Sequence, residues 1–182
     1  MRGLLYEKGV PLEKSIIKAL RILGYEAEGF KTADLELDVV FTSPEGRLIG
    51  EAEGKDDKPV NVTKLRQLAL NVHEDFARDD VDELAKGVLF GNSYRLTAID
   101  ERGDPFTEKC QSASKASSTA LVSTSDLFLI AKYLSENIDV DFAKRCREAI
   151  GSAVGRVSFP AVPLPGVLGQ SSSAGDQVSC EA

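Results

Sequence analysis

Two short acidic stretches carry the residue types best suited to chemistry in this chain. Asp34-Leu35-Glu36-Leu37-Asp38 is followed, after a short link, by Gly50-Glu51-Ala52-Glu53-Gly54-Lys55. Both alternate an acid with a small or apolar residue, and on a β-strand successive side chains point to opposite faces. A period of two collects Asp34, Glu36 and Asp38 on one face of one strand, and Glu51 and Glu53 on one face of the next. The link Thr42-Ser43-Pro44-Glu45-Gly46-Arg47 has Pro and Gly where a tight turn needs them, which predicts a hairpin. Paired in this way, up to five carboxylates converge on one patch. Like charges at that density repel, and a bound hard cation such as Mg²⁺ is the usual remedy. A solvated face of an antiparallel sheet is the plainer account of the same pattern. Asp and Glu are poor strand formers, however, and like charges facing each other destabilise a strand pair. A strand needing only a polar face is better served by Thr or by mixed charges, so the metal site is the reading carried forward.

The elements that must position these acids follow from hydrophobic periodicity. Leu12, Ile16, Ala19, Leu20 and Leu23 predict a helix over Pro11–Leu23, with Pro11 in its first turn and Gly24 as its stop. Strands are expected at Tyr25–Phe30, Leu35–Thr42 and Arg47–Glu53. A helix follows from Asn61 or Thr63 to Ala77, with Val62, Leu65, Leu68, Val72 and Phe76 on its apolar side. The run Asp79-Asp80-Val81-Asp82-Glu83 reads as a solvated connection or a short helix. Gly87–Gly91 and Thr119–Ser123 are short buried strands, Phe106–Lys115 is a helix between them, and Ser125–Leu134 and Asp139–Ile150 are closing helices. Ser125 and Asp139 are available as N-caps for the last two. The resulting order, α-β-β-β-α-β-α-β-α, describes an α/β domain with a mixed central sheet flanked by helices.

Composition sets the outer bounds. The chain has 182 residues, 42% hydrophobic and 28% charged, which fits one globular domain spanning 1–150. Residues 151–182 form a tail punctuated by Pro, Gly and Ser, and disorder is expected after about 165. No apolar run approaches the ~20 residues of a membrane span, and no secretory signal precedes Leu12, so a cytoplasmic protein without membrane contact is expected. Cys110, Cys146 and Cys180 have neither disulfide-framework nor metal-ligand spacing, and the single histidine, His73, leaves zinc chemistry without ligands. A net charge of −7 argues against clamping nucleic acid by bulk electrostatics, though not against meeting phosphate through a metal and a local basic strip.

With the hairpin and the element order in place, the chain resembles the PD-(D/E)xK, or restriction-endonuclease-like, nuclease superfamily over roughly residues 11–130. In that family strand acids hold one or two Mg²⁺ ions, and a Lys on the third strand positions or activates the attacking water. The resemblance implies a restriction-endonuclease-like αβββαβ core and assigns catalytic roles to Asp38, Glu51, Glu53 and Lys55. Asp38 matches the invariant strand acid and Glu51 the first acid of the third-strand element, while the family's lysine position holds Glu53. An alternative register, Glu53-Gly54-Lys55, restores the lysine. The first is preferred because Glu51-Ala52-Glu53-Gly54 resembles the family's Glu-x-Lys-Gly strand end, with Lys55 able to swing in past Gly54. Glu13, on the first helix, matches a helical Glu that several branches point at the metal, so Asp38, Glu51 and Glu13 are the implied ligands of Mg²⁺ or Mn²⁺. The same Glu13 also suits a first helical turn for electrostatic reasons alone. Arg66, Gln67 and Lys64 are the implied contacts to substrate phosphate; a solvated helix face explains the two cations equally well.

The expected activity is metal-dependent phosphodiester hydrolysis on nucleic acid, DNA in preference to RNA. The alternative is a catalytically inactive nuclease-fold module that binds or scaffolds. A homodimer or a place within a larger multidomain protein would supply the recognition surface that this short chain lacks. Other residues attract less: His73 falls on the polar side of its helix, Asn92-Ser93-Tyr94-Arg95 follows a strand end, and Thr124-Ser125-Asp126 reads as a cap. No phosphate-binding loop, dinucleotide fingerprint or Ser/His/Asp arrangement is present.

Overall fold

The computed structural model describes residues 1–163. A short helix α1 (Gly3–Tyr6) precedes α2 (Val10–Ile22), in which Leu12, Ile16, Ala19 and Leu20 are buried. Gly24, at φ +89°, ends that helical segment in a backbone conformation that favours glycine. Strands β1 (Glu26–Lys31), β2 (Glu36–Ser43) and β3 (Gly46–Gly54) then form an antiparallel meander, with Pro44 and Glu45 as the two-residue turn of the β2–β3 hairpin. Helix α3 (Thr63–Phe76), β4 (Lys86–Asn92), α4 (Glu108–Ala116), β5 (Ala120–Ser123), α5 (Thr124–Glu136), α6 (Val140–Ser152) and β6 (Gly155–Arg156) follow.

The six strands lie in sequence order. β1, β2 and β3 are antiparallel neighbours, whereas β3 to β6 run parallel. The chain is therefore an α/β protein with a mixed sheet flanked by helices; from α2 to α6 the elements follow the order expected from periodicity, while α1 and β6 were not expected. One face of the sheet carries α2, α5 and α6 over a core that includes Phe41, Phe90 and Phe142. The other carries α3 and α4 over Ile49, Leu89, Leu121 and Phe106. A strand covered on both faces has no need to alternate, which explains the continuous burial of Leu48 to Ala52 and of Val88 to Asn92.

Expectation and structure part at two places, the segment after 151 and the start of α5. β6 and the buried Val157 lie in the segment expected as tail, and Phe159 packs against the core. The expected disorder after about 165, like Cys180, lies outside the described residues. Helix α5 starts one residue before Ser125, so Ser123 rather than Ser125 occupies the cap position, without a side-chain capping bond. Asp139 does cap α6, its Oδ1 accepting from Phe142 N at 2.9 Å. The acidic run from Asp79 to Glu83 forms no helix.

Candidate active site

The hairpin brings its acids together less symmetrically than strict alternation implies. Glu28 pairs with Val40 and Phe30 with Leu37, so β2 spends three steps where β1 spends two. This bulge shifts the phase of β2: Leu37 packs toward α3 while Val39 packs toward α2. Asp38 consequently falls in phase with Val40, on the α3 side, and Glu36 and Asp34 are turned away from it. Both are exposed, and Glu36 pairs with Lys31 at 2.7 Å. Five acids do not share one patch. Three do, because Glu51 and Glu53 of β3 also look toward α3.

Asp38 is tied down by the neighbouring strand, its Oδ2 accepting from Ala52 N at 2.8 Å. Glu51 is fully buried. Its Oε2 accepts from Lys64 Nζ at 3.1 Å and its Oε1 from Asn71 Nδ2 at 2.6 Å. Burial, and next the charge of Asp38, push the Glu51 carboxyl up from the ordinary 4.5 to about 7, against the opposing pull of Lys64 and Asn71. Glu13, in the first turn of α2, is likewise raised by burial and by Asp38 and Glu36. Burial works to lower the Lys64 pKa, but Glu51, Asp38 and Glu53 outweigh it and hold the ammonium above its ordinary 10.5. The same ammonium donates to Gln67 Oε1 at 3.0 Å, which leaves one of its three N–H groups free among the described residues.

Glu53 and Lys55 form a pair of their own, Nζ to Oε1 2.5 Å, at the strand end. Gly54 between them admits no side chain, because a Cβ there would strike Lys8 of the α1–α2 connection. The residues implied by the resemblance thus fall into three groups. Asp38, Glu51, Glu13, Lys64 and Gln67 are linked by contact or by charge, Glu53 and Lys55 neutralise each other beside them, and Arg66 is exposed without an ion-pair partner among the described residues. Lys64, assigned to substrate phosphate, is the cation on the buried acid.

Asn71, Asp75 and Arg47 escaped the sequence reading. Asn71 and Asp75 are buried, although periodicity assigned the apolar side of α3 to residues that include the exposed Phe76. A signal was present: Lys64, Leu68, Asn71 and Asp75 recur at i, i+4, i+7 and i+11, which puts polar groups in the stripe facing the sheet. His73 is exposed, as its place on the polar side implied.

Among the described residues no three His, Cys, Asp or Glu side chains converge closely enough to enclose a metal on their own. Mg²⁺ does not require that, since it keeps several waters and commonly takes one or two carboxylates together with substrate phosphate. Asp38 and a Glu51 raised by burial and by Asp38 fit such an ion: both are hard oxygen donors, with Lys64 as the one cation bonded to them. None of Glu13, Asp38, Glu51 and Glu53 lines the five cavities found elsewhere on the described residues. Comparison of the chain with protein-family profiles, with curated proteins and with solved structures finds no match.

Proposed function

We propose that the β2–β3–α3 face is the active site of a metal-dependent phosphodiesterase of restriction-endonuclease-like architecture, acting on nucleic acid, DNA in preference to RNA. The observation that carries this reading is the fully buried Glu51, raised to about 7 beside Asp38 with a single lysine as its ionic partner. A solvated strand face does not bury its acids, and a carboxylate held only for structure is normally fully compensated.

Asp38 and Glu51 would hold Mg²⁺ or Mn²⁺, with Glu13 nearby as a further acid. The bound ion would supply a hydroxide-like nucleophile and neutralise charge on the phosphoryl oxygens. The remaining work falls to the chain. Asn71 fixes the Glu51 carboxylate in one orientation through its 2.6 Å bond. Lys64, charged at neutral pH, has a free N–H to donate to a non-bridging phosphoryl oxygen as negative charge grows there. Glu53, whose Oε1 pairs with the Lys55 ammonium, would accept the proton of the attacking water. Arg66 and Gln67 border the track that the substrate backbone would follow.

Titration calorimetry with Mg²⁺ and Mn²⁺ on the wild type and Asp38→Ala, run beside cleavage of single- and double-stranded substrates, tests the proposal. Metal binding and cleavage that both vanish in the variant support it. No metal binding by the wild type at millimolar concentration sinks it. One feature favours a second reading, the catalytically inactive module: both Glu51 oxygens already accept from protein donors, and Glu53 stands where the resembled family has lysine. Metal binding without cleavage of any substrate would select that reading.

A further inference from the structure

Between α5 and the stretch that follows β6 lies a cleft of about 490 Å³. Its wall is mainly apolar: Leu129 and Ile130 from α5, and Val157, Phe159, Pro160 and Val162 from the stretch after Arg156. Ile130 and Val157 are buried, whereas Leu129 is 56% exposed, so the cleft is open to solvent. A volume of this size, apolar for the most part and with few polar groups, is what a small organic ligand occupies. Asp126 and Arg156 are the charged residues of the lining.

The charges decide what kind of ligand fits. Asp126 stands in the first turn of α5, where an acid favours the helix dipole, but its half-buried side chain also borders this apolar wall. Arg156 lies 3.8 Å from it, beyond hydrogen-bond distance, and 3.9 Å from a second acid, Asp104. One guanidinium thus serves two carboxylates and bonds neither. Asp104 has bonds of its own, accepting from Phe106 N and from Gln111 Nε2, both at 3.1 Å. Asp126 is the acid left short: burial raises its carboxyl above the ordinary 3.8, and Arg156 offsets this only in part. Arg102 does not line the cleft, its guanidinium being engaged with Thr97, Asn92, Leu5 and Arg95. The cleft therefore joins an apolar wall to a net negative charge. The half-buried ring of Phe159 on that wall favours a cation as well.

We propose that this cleft binds a small organic cation, an amine with an apolar body, with Asp126 as its counter-ion. The ammonium would bond the Asp126 carboxylate that Arg156 leaves unbonded, and the apolar body would lie along Leu129, Val157 and Phe159. A carboxylate or phosphate ligand would meet Asp126 and Asp104 as like charges, and a neutral apolar one would cover Asp126 without bonding it. The site stands on α5 and the stretch after β6, and does not depend on the nuclease reading of the hairpin.

Phenethylamine, charged at neutral pH, titrated into the full chain with amide NMR shifts as readout tests the site. Saturable shifts are expected at Asp126, Leu129, Arg156 and Phe159. The neutral 2-phenylethanol should bind roughly tenfold more weakly, and so should the amine to Asp126→Asn, because each lacks one half of a charge-assisted bond. Arg156→Gln removes the competing cation and should tighten binding roughly threefold. Val162→Trp, at an exposed wall position, fills the cleft and should abolish the shifts. If Asp126→Asn unfolds, Val162→Trp fixes the place and the comparison of amine with alcohol fixes the charge. No saturable shift in the wild type overturns the proposal, as does undiminished binding by Val162→Trp. Equal binding of amine and alcohol, or equal binding by Asp126→Asn, means an apolar crevice that takes any small molecule, and overturns it too. Weaker binding by Arg156→Gln would place the ligand on the arginine and not on the acid, with the same result.

Discussion

Glu51 and Asp75 are both fully buried acids at the packing of α3 on the sheet, and the chain treats them in opposite ways. Asp75 receives two guanidinium groups: Arg47 bonds both of its oxygens, at 2.5 and 3.0 Å, and Arg78 adds a third bond at 3.0 Å. Arg78 is itself fixed by Asp80 and lies over the Phe30 ring, 4.1 Å from its centroid. This is a compensated buried charge, and it fastens the end of α3 to β3 and β1. Glu51 has one lysine and one amide, and burial, with Asp38 second, raises it to about 7. A compensated carboxylate holds structure together. An under-compensated one is costly to keep, and such groups cluster where chemistry is done.

The largest effect that would sharpen this contrast is on activity. Asp38→Ala and Glu51→Gln should each remove Mg²⁺ binding and reduce cleavage to background, while Asp75→Asn should leave the metal affinity of the folded fraction unchanged. Calorimetry on all three variants reads this directly. If Asp75→Asn loses metal as completely as Glu51→Gln, the two acids belong to one network and the contrast fails.

Stability should invert the order. Removing the carboxylate charge in Asp75→Asn leaves two partly buried guanidiniums facing each other, at a cost of about 3–5 kcal/mol in urea unfolding. Glu51→Gln removes an anion that Asp38 already disfavours, and Lys64, with its side chain 25% exposed, can turn to water. Its cost should stay within about 1 kcal/mol. A Glu51→Gln penalty as large as that of Asp75→Asn would mark Glu51 as structural.

The pH dependence follows from the raised carboxyl. The folded state holds the Glu51 proton more tightly than the unfolded chain does, so this group's stabilising contribution is complete below about 4.5 and is lost as pH rises through about 7. Across that window the wild type should lose on the order of 1–3 kcal/mol relative to Glu51→Gln, read from urea midpoints at successive pH values. Mg²⁺ requires the ionised form, so its affinity should climb over the same window with release of a proton, and saturating Mg²⁺ should flatten the loss. Parallel pH profiles for the two proteins would mean that Glu51 is not raised.

Much of this was legible in the chain, and the gaps have identifiable causes. Helix α2, the hairpin turn at Pro44 and the buried strands β4 and β5 could be read because their signals are local: a period near four, a turn with Pro and Gly, and short apolar runs. Asp38, Glu51 and Glu53 stood out because acids at strand spacing run against propensity. The bulge that sends Glu36 away from Asp38 left no mark, since one extra residue in β2 is set by pairing with β1, a tertiary fact. Lys64 is legible as a cation beside the site, but its contact with Glu51 is not. Its bond to Glu51 depends on how α3 lies across β3, which the helical period does not fix. Asn71 and Asp75 were passed over because buried polar residues imitate a solvated face until their partners, Glu51 and Arg47, are known.

The smallest effect separates two cations one turn apart in function though adjacent in the strip. Lys64 bonds the buried acid, whereas Arg66 is exposed and unpaired among the described residues. Lys64→Met should lower cleavage about a hundredfold, as expected for loss of a donor to developing charge. It should also move the acidic limb of the pH–rate profile upward, because the cation that favours ionised Glu51 is gone. Arg66→Ala should change cleavage by only about two- to threefold, through a screened surface contact to the substrate backbone, and that change should disappear at high salt. The profile's acidic limb should not move in Arg66→Ala. Equal losses in the two variants with unmoved profiles would place both residues on the track and none on the acid, so that the Lys64–Glu51 contact would be packing and the contrast with the Asp75 clamp would lose its meaning.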